Sequence, residues 1–314
     1  MSVLVSILIP CFNASPWLRK TLESALSQSW SNKEIILVDD GSTDNSLAIA
    51  KTLRSREVHI IAQKNQGACK ARNVALRASK GEWIQFLDAD DLLASDKIER
   101  QMALAQAAGA EYAYCCDWTR FIHADIGTKR IDQPLCTDAR PVEWLISKFE
   151  LNAMMHPAAW LISKSLATRA GPWNETLSLD DDGEYFTRVV LSSQGVRFCP
   201  EAKSYYRSEL PNSLSRSKSE QAWDSAFRSL ELSAQRLRQV EDSPRTRHAC
   251  ATAFQRYIYD AYPISLVSQR KAAVHVAALG GSNLQPERGP KFTALSRLIG
   301  WRMTRRLQLL TGWL

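Results

Sequence analysis

Through its first 120 residues the chain alternates short β-rich runs with helix-length segments, and that alternation leaves few architectures open. "VLVSILI" (3–9), "EIILV" (34–38), "VHIIA" (58–62), "WIQFL" (83–87) and "EYAYCC" (111–116) read as strands: they are short, rich in β-branched and aromatic residues, and bounded by polar turn formers. Segments 43–54, 67–79 and 95–107 read as helices between them. Ser15 and Pro16 predict an N-cap and first helical position for another, with Leu18, Leu22, Ala25 and Leu26 as its apolar stripe. The pattern predicts an α/β fold with a doubly wound, mostly parallel sheet, in which ligands sit beyond the carboxyl ends of the strands. Polar clusters fall at those ends: "PCFN" (10–13), "DDGSTD" (39–44), "QKNQGACKARN" (63–73) and "DADD" (88–91). Neither a G-x-G-x-x-G nor a P-loop pattern follows any strand, which argues against a dinucleotide site or a P-loop NTPase.

Farther on the pattern weakens. Residues 141–200 mix helix and strand, "YYRSELPNSLS" (205–215) reads as a polar loop, and the chain beyond 216 reads as helical with a break at 280–290. The last segment, from Ala294, reads as one basic amphipathic helix with Leu295, Ile299, Met303, Leu307 and Leu310 near one face and Arg297, Arg302, Arg305 and Arg306 mostly elsewhere. It either binds an acidic membrane or packs on the rest of the protein. The division expected is 1–215 as a catalytic domain, with 1–120 and 121–215 as its halves, and 216–314 as a C-terminal helical region. A net charge of +7 favours an anionic partner, unless it is only a mildly basic solvated surface. Seven cysteines with no C-x-x-C pair predict reduced thiols, and the N-terminal apolar run stops at Pro10, too short for a signal peptide or a span. These features predict a cytoplasmic protein, peripheral at the inner face of the membrane if the tail binds there.

"FLDADD" (86–91) carries the sharpest chemical question, because three carboxylates in four positions repel one another. A D-x-D at a strand end turns its outer carboxylates to one side, where a hard cation such as Mn²⁺ or Mg²⁺ removes the repulsion and leaves positions open for a diphosphate. Asp90 is assigned to the metal on this ground; for Asp88 and Asp91 the competing reading is a cap on the helix that "ASDKIERQMALAQA" begins. In "VDDGSTD", Ser42 or Thr43 could cap a helix, but two adjacent acids need more than that: one carboxylate there can accept the N3–H of a uracil or the hydroxyls of a ribose.

"SILIPCFNASPWLRKTLESALSQSWSNKEIILVDDGSTDNS" followed by "NQGACKARNVALRASKGEWIQFLDADD" resembles the family 2 glycosyltransferases of the GT-A type fold. Their pattern is a strand ending in P-x-x-N, then V-D-D-G-S-x-D, G-x-x-x-A-R-N and D-x-D-D. "GPWNETLSLDDDGEYFTRV" (171–189) is similar, more weakly, to the family's G-x-F-D-E-x-L and E-D-x-x-x-W-x-R. The resemblance implies that Pro10, Asn13, Asp39, Asp40 and Arg72 border the nucleotide, with Asp40 on the uracil and Lys70 and Asn73 as weaker members. It implies that Asp88 approaches ribose or metal, that Asp90 coordinates the metal, and that Asp182 is the catalytic base, with Asp181 its rival in register. Glu209 stands where relatives keep a metal-completing histidine, as an oxygen ligand or a solvated side chain. Gly183 and Phe186 depart from the aromatic residue and tryptophan expected there. His156, in "MMHPAAW", reads as a core or turn histidine, with a place in the acceptor pocket as the alternative.

Together these imply a metal-dependent inverting glycosyltransferase of hexosyltransferase type, moving a single sugar from a nucleotide-diphospho-sugar, read as a UDP-sugar, to a saccharide or lipid-linked saccharide. The absence of a Q-x-x-R-W pattern and of flanking spans argues against processive polymerisation. A nucleotidyltransferase, a non-catalytic sugar-nucleotide or glycan binding protein and, more distantly, a nucleic-acid binder are the alternatives.

Overall fold

The computed structural model describes residues 2–122, 134–208, 219–286 and 288–311. Its centre is a five-stranded sheet in the order β3 (Val58–Ala62), β2 (Lys33–Asp39), β1 (Val5–Cys11), β4 (Trp83–Phe86), β7 (Ile162–Ser163). The first four are parallel and β7 is antiparallel to β4. All seven residues of β1 are buried, as expected for a strand covered on both faces. Alternation divides them: Ile7 and Ile9 join a core with Leu18, Leu22 and Met102, whereas Leu8 faces a second core with Phe86, Trp160 and Tyr185. The polar clusters 10–13, 39–44, 63–67 and 88–91 therefore share the carboxyl rim.

The crossovers are α1 (Leu18–Leu26), α2 (Ser46–Thr52) and α3 (Ala68–Ala78). Residues 15–17 form a turn and α1 starts at Leu18, two residues later than the serine and proline suggest. The reason is local: Trp17 N–H and Leu18 N–H both donate to Ala14 O, and Ser15 N–H donates to Asp44 Oδ2. Asp44 also accepts the Ser46 N–H at 2.9 Å, so neither Ser42 nor Thr43 caps α2.

A smaller sheet, β5 (Leu92–Leu93), β8 (Val196–Arg207), β6 (Ala113–Phe121), lies beyond β4, with α4 (Lys97–Ala108) packed on β8. No side chain caps α4, and Asp91 is occupied elsewhere. Then follow α5 (Pro141–Leu151), a short 3-10 turn (Pro157–Ala159), α6 (Lys164–Ala170) and α7 (Asp181–Leu191). The C-terminal region is helical: α8 (Glu220–Val240), α9 (Pro244–Ala261), α10 (Leu266–Ala278), α11 (Pro290–Ile299) and α12 (Trp301–Thr311). Helix α8 packs on α7, and α9 packs on α5. The tail is two helices rather than one, because Gly300 takes a left-handed φ of 80° that breaks the run after Ile299. Among the described residues no helix is long and apolar enough to cross a membrane.

Candidate active site

The carboxyl rim opens into a cleft of about 1120 Å³ whose lining runs from Pro10 and Asn13 through Arg72, Asp88 and Asp90 to Asp180, Asp181 and Asp182. Its far wall is apolar and aromatic, with Phe149 of α5, Trp223 and Leu230 of α8 and Tyr257 of α9.

The rim loops are tied to each other before any ligand arrives. Asn13, in a left-handed conformation (φ 49°), accepts the Thr43 N–H at 2.8 Å and donates its own N–H to Ser42 Oγ. Asp40 accepts from Gln63 Nε2 (2.7 Å), Gln66 N–H (2.9 Å) and Gly67 N–H (2.8 Å), which clamps the loop before α3. Three of roughly four lone-pair positions are thereby used, so a ligand N–H has one left. Gly41 sits where a Cβ would come within 2.8 Å of the Asn65 backbone nitrogen. Asp39 is buried and absent from the cleft lining; its Oδ2 accepts the Ser42 N–H and its Oδ1 has no partner.

Arg72 joins the two sides of the cleft. Its guanidinium pairs with Asp88 at 2.8 Å and with Asp181 at 2.6 Å, and it lies 4.4 Å over the Trp173 ring. Asp88 and Asp181 push the arginine, already always charged, further up against the opposing effect of burial. Lys70 and Asn73 act elsewhere. Lys70 pairs with Glu175, and Asn73 holds Trp173 and Glu175 through three hydrogen bonds. They staple α3 to the segment leading into α7 and do not line the cleft.

Within "DADD" each aspartate has a different fate. Asp91 is fully buried, accepting the Arg207 N–H at 2.8 Å and meeting His156 Nδ1 at 3.0 Å; His156 Nε2 reaches Ser204 Oγ at 2.9 Å. Burial pushes the imidazole down to about 3 and keeps it neutral. His156 is thus a core histidine that fixes the turn, although its residue also borders the cleft. Asp90 offers its backbone carbonyl to Arg207 Nε at 2.8 Å. Its carboxylate makes no side-chain hydrogen bond, lines the cleft, and is pushed well above the usual carboxylate range by burial, then by Asp91 and Asp88. A cleft carboxyl with no side-chain hydrogen bond among the described residues, beside a second aspartate, fits a hard divalent cation held jointly with ligand phosphates. Among the described residues no group of three or more His, Cys, Asp or Glu is arranged to hold an ion by itself. Glu209 lies outside the described residues.

The run "DDD" at the start of α7 divides in the same way. Asp180, at φ 61°, turns its carboxylate back to Ser229 Oγ, which donates at 2.7 Å. A Cβ on Gly183 would collide with that carboxyl, so the glycine follows from the fold of the Asp180 side chain. Asp181 is bound to Arg72 and receives the Cys69 S–H at 3.0 Å. Among the described residues, Asp182 accepts a hydrogen bond only from the Gly183 N–H. Its carboxyl is pushed up to about 7 by burial, then by Asp181 and Asp180, against Lys148 and Arg72. Lys148, whose Nζ donates to Gly183 O at 3.1 Å, is a functional neighbour with no signal in its own segment. Phe186 stacks on Trp160 at 5.0 Å in the core.

The chain and its fold have counterparts among known proteins. The family model "Glycosyl transferase family 2" matches residues 6–166. The chain belongs to glycosyltransferase family 2. This glycosyltransferase is 30% identical to the glycosyltransferase GlyG of Streptococcus pneumoniae serotype 4 over 211 residues, 62% of this chain and 68% of that protein. It is 40% identical over 114 residues (35% of this chain, 45% of the other) to WfaP of Escherichia coli, a UDP-Glc:alpha-D-GlcNAc-diphosphoundecaprenol beta-1,3-glucosyltransferase. The first three curated relatives are spanned over 41%, 63% and 68% of their own length. The fold matches S. aureus TarS 1-349, solved in complex with UDP-GlcNAc, with a TM-score of 0.68 at 16% identity, covering 88% of this chain and 80% of that one. It also matches the mannosyltransferase PcManGT of Pyrobaculum calidifontis in complex with GDP-Man and Mn²⁺ (TM-score 0.60, 17% identity, 98% and 87% covered). The glycosyltransferase thus has the GT-A type fold.

Proposed function

We propose that this glycosyltransferase moves one hexosyl unit from a nucleotide-diphospho-sugar, a UDP-sugar, to a hydroxyl of a lipid-linked saccharide, with inversion and with Mn²⁺ or Mg²⁺ at the donor phosphates. The observation that carries the reading is Asp182: a carboxyl raised to about 7, free of ion pairs among the described residues, lining the same cleft as Asp88 and Asp90. A base with that affinity is half ionised near neutral pH and matched to proton abstraction. Asp182 takes the proton of the acceptor hydroxyl while that oxygen bonds to the anomeric carbon from the face opposite the diphosphate; the carbon–oxygen bond to the phosphate breaks and its electrons leave with the nucleoside diphosphate. The bond of Asp181 to Arg72 favours Asp182 over Asp181 as the base.

On the donor side Pro10, Asn13, Asp40, Arg72 and Asp88 border the nucleotide, with the last acceptor position of Asp40 for the base, while Asp39 supports the Ser42 turn behind them. Asp90 holds the cation; when bound, the cation neutralises charge growing on the leaving diphosphate. Residues 1–120 form the nucleotide half, 121–215 the acceptor half and 216–314 the helical region that closes the acceptor wall. The aromatic wall suits a sugar ring or an apolar carrier, and WfaP supports a diphosphate-lipid acceptor, which implies a cytoplasmic enzyme working peripherally at the inner face of a membrane.

The test is thermal unfolding with UDP-, GDP- and dTDP-sugars, each with Mn²⁺ or EDTA, on the wild type and Asp90→Ala. Stabilisation by one nucleotide, dependent on metal and absent in Asp90→Ala, is the expected result. Metal-independent stabilisation of both proteins would remove the cation from the reading, and donor binding without transfer in any acceptor screen would favour a binding protein.

A further inference from the structure

The positive charge of this protein is concentrated in its last two helices. Residues 288–314 contain six Lys and Arg and no Asp or Glu; removing those six from 40 leaves 34 bases against 33 acids in the rest of the chain. The same segment carries the most exposed apolar side chains of the described residues. Leu298 is 82% and Leu310 83% exposed, and Ile299, Met303, Leu307 and Leu309 are exposed with them. Exposed leucines in one row at a helix end or along a face are unfavourable in water unless something covers them.

The two faces of α12 are distinct. Trp301, Thr304, Arg305 and Gln308 turn inward, with Trp301 at 4.9 Å from the ring of Tyr259 on α9 and 5.2 Å from that of Tyr262, which ends it. Arg302, Met303, Leu307 and Leu310 are exposed, as is Arg306, whose guanidinium passes 5.8 Å from the Tyr262 ring. Among the described residues none of Arg297, Arg302 and Arg306 forms an ion pair with a carboxylate. The inner attachment also sets the location: Arg288 pairs with Asp260 at 3.0 Å, and Asp260 and Arg256 of α9 line the cleft.

We infer that α11 and α12 form a docking surface for an anionic lipid bilayer, with Leu298, Met303, Leu307 and Leu310 entering the interface and Arg297, Arg302 and Arg306 at the headgroups. Leucines flanked by arginines, with no acid among them, match the interfacial amphipathic pattern, and arginine stems can lie along the apolar boundary while their heads reach phosphate. A second copy of the chain is a poor occupant, since a two-fold contact would set the same arginines face to face. Gly300 joins the exposed end of α11 to α12, and Arg288, just before α11, pairs with Asp260, which lines the cleft. Delivery of a lipid-borne acceptor from that surface rests on the acceptor reading above; the docking itself does not.

The experiment is flotation of the full chain with vesicles of phosphatidylcholine alone or with about 30% phosphatidylglycerol, at about 0.1 M and about 0.5 M NaCl, which brackets strong and weak electrostatic attraction. The expected result is binding to the anionic vesicles only, at least tenfold weaker at the higher salt. At least a tenfold loss is expected in Arg297→Glu/Arg302→Glu/Arg306→Glu, and a loss in Leu298→Ser/Leu310→Ser at unchanged melting temperature. Equal binding to both vesicle types, wild-type binding by the arginine variant, or a dimer that dissolves in the leucine variant without any vesicle binding would overturn the surface. Transfer to a water-soluble saccharide, measured alongside, should be unchanged in both variants. Vesicle binding with transfer only to soluble saccharides would keep the docking surface and overturn the lipid-linked acceptor.

Discussion

The two aspartate triplets, 88/90/91 after β4 and 180/181/182 at the start of α7, solve the same electrostatic problem with the same division of labour. One member of each is buried and tethered by a neutral hydrogen-bonding partner: Asp91 by His156, Asp180 by Ser229. One of each pairs with Arg72. One of each, Asp90 and Asp182, is left without an ion pair in the cleft with its carboxyl pushed up. They differ in what the free member adjoins. Asp90 stands beside Asp88 and suits a cation, whereas Asp182 stands near Lys148, which moderates its affinity to a value fit for proton transfer. Like charges packed together can thus make either a metal ligand or a base, and the third neighbour decides.

The comparison breaks most severely if the free members are interchangeable. Asp182→Asn should lower transfer about 10²- to 10⁴-fold while donor-induced stabilisation persists, read by kinetics and thermal shift on the same sample. Next in size is the shared cation. Arg72→Ala leaves two partly buried carboxylates facing each other and should cost about 3–5 kcal/mol, seen in denaturant unfolding, with Arg72→Lys recovering only part because it cannot fork to both acids. The tethers come third. His156→Ala and Ser229→Ala should each cost about 1–3 kcal/mol, but the first should weaken metal-dependent donor binding and the second should move the acid limb of the rate. Were both to act on the same step, the two triplets would not be separate devices.

The smallest effect is in pH. A base must be ionised, so kcat/KM should fall as pH drops through about 7. The Asp181 charge contributes to the rise of Asp182, so Asp181→Asn should shift that limb to lower pH. A limb that stays in place would assign the ionisation to another group.

How much of this is legible in the chain follows from where each signal resides. Strands β1, β2 and β4 are readable because burial on both faces demands short apolar runs, and the ends of the partly exposed edge strand β3 agree with 58–62 residue for residue. The rim clusters follow from the parallel order, and the free members Asp90 and Asp182 from their place in local motifs. What a local motif cannot contain is the partner. His156 lies 65 residues from Asp91, Ser229 lies 49 from Asp180, and Asp181 lies 109 from Arg72. The same gap conceals that Asn73 is a staple and that Asp40 is mostly spent on its own loop. The tail misleads for the opposite reason: its apolar spacing continues across Gly300, and only the left-handed φ there divides it.

The two-sided grip of Arg72 has a geometric consequence. A guanidinium is rigid and planar, so a residue that holds both Asp88 and Asp181 acts as a spacer of fixed length between the two triplets, which on the proposed mechanism separates the departing diphosphate from the base. Loops around the rim, and the helices that form the far wall, can then vary in sequence to admit other sugars or carriers without altering the separation on which in-line displacement depends. Changes of specificity in this scaffold should accumulate around that gauge and spare its three residues, Arg72, Asp88 and Asp181.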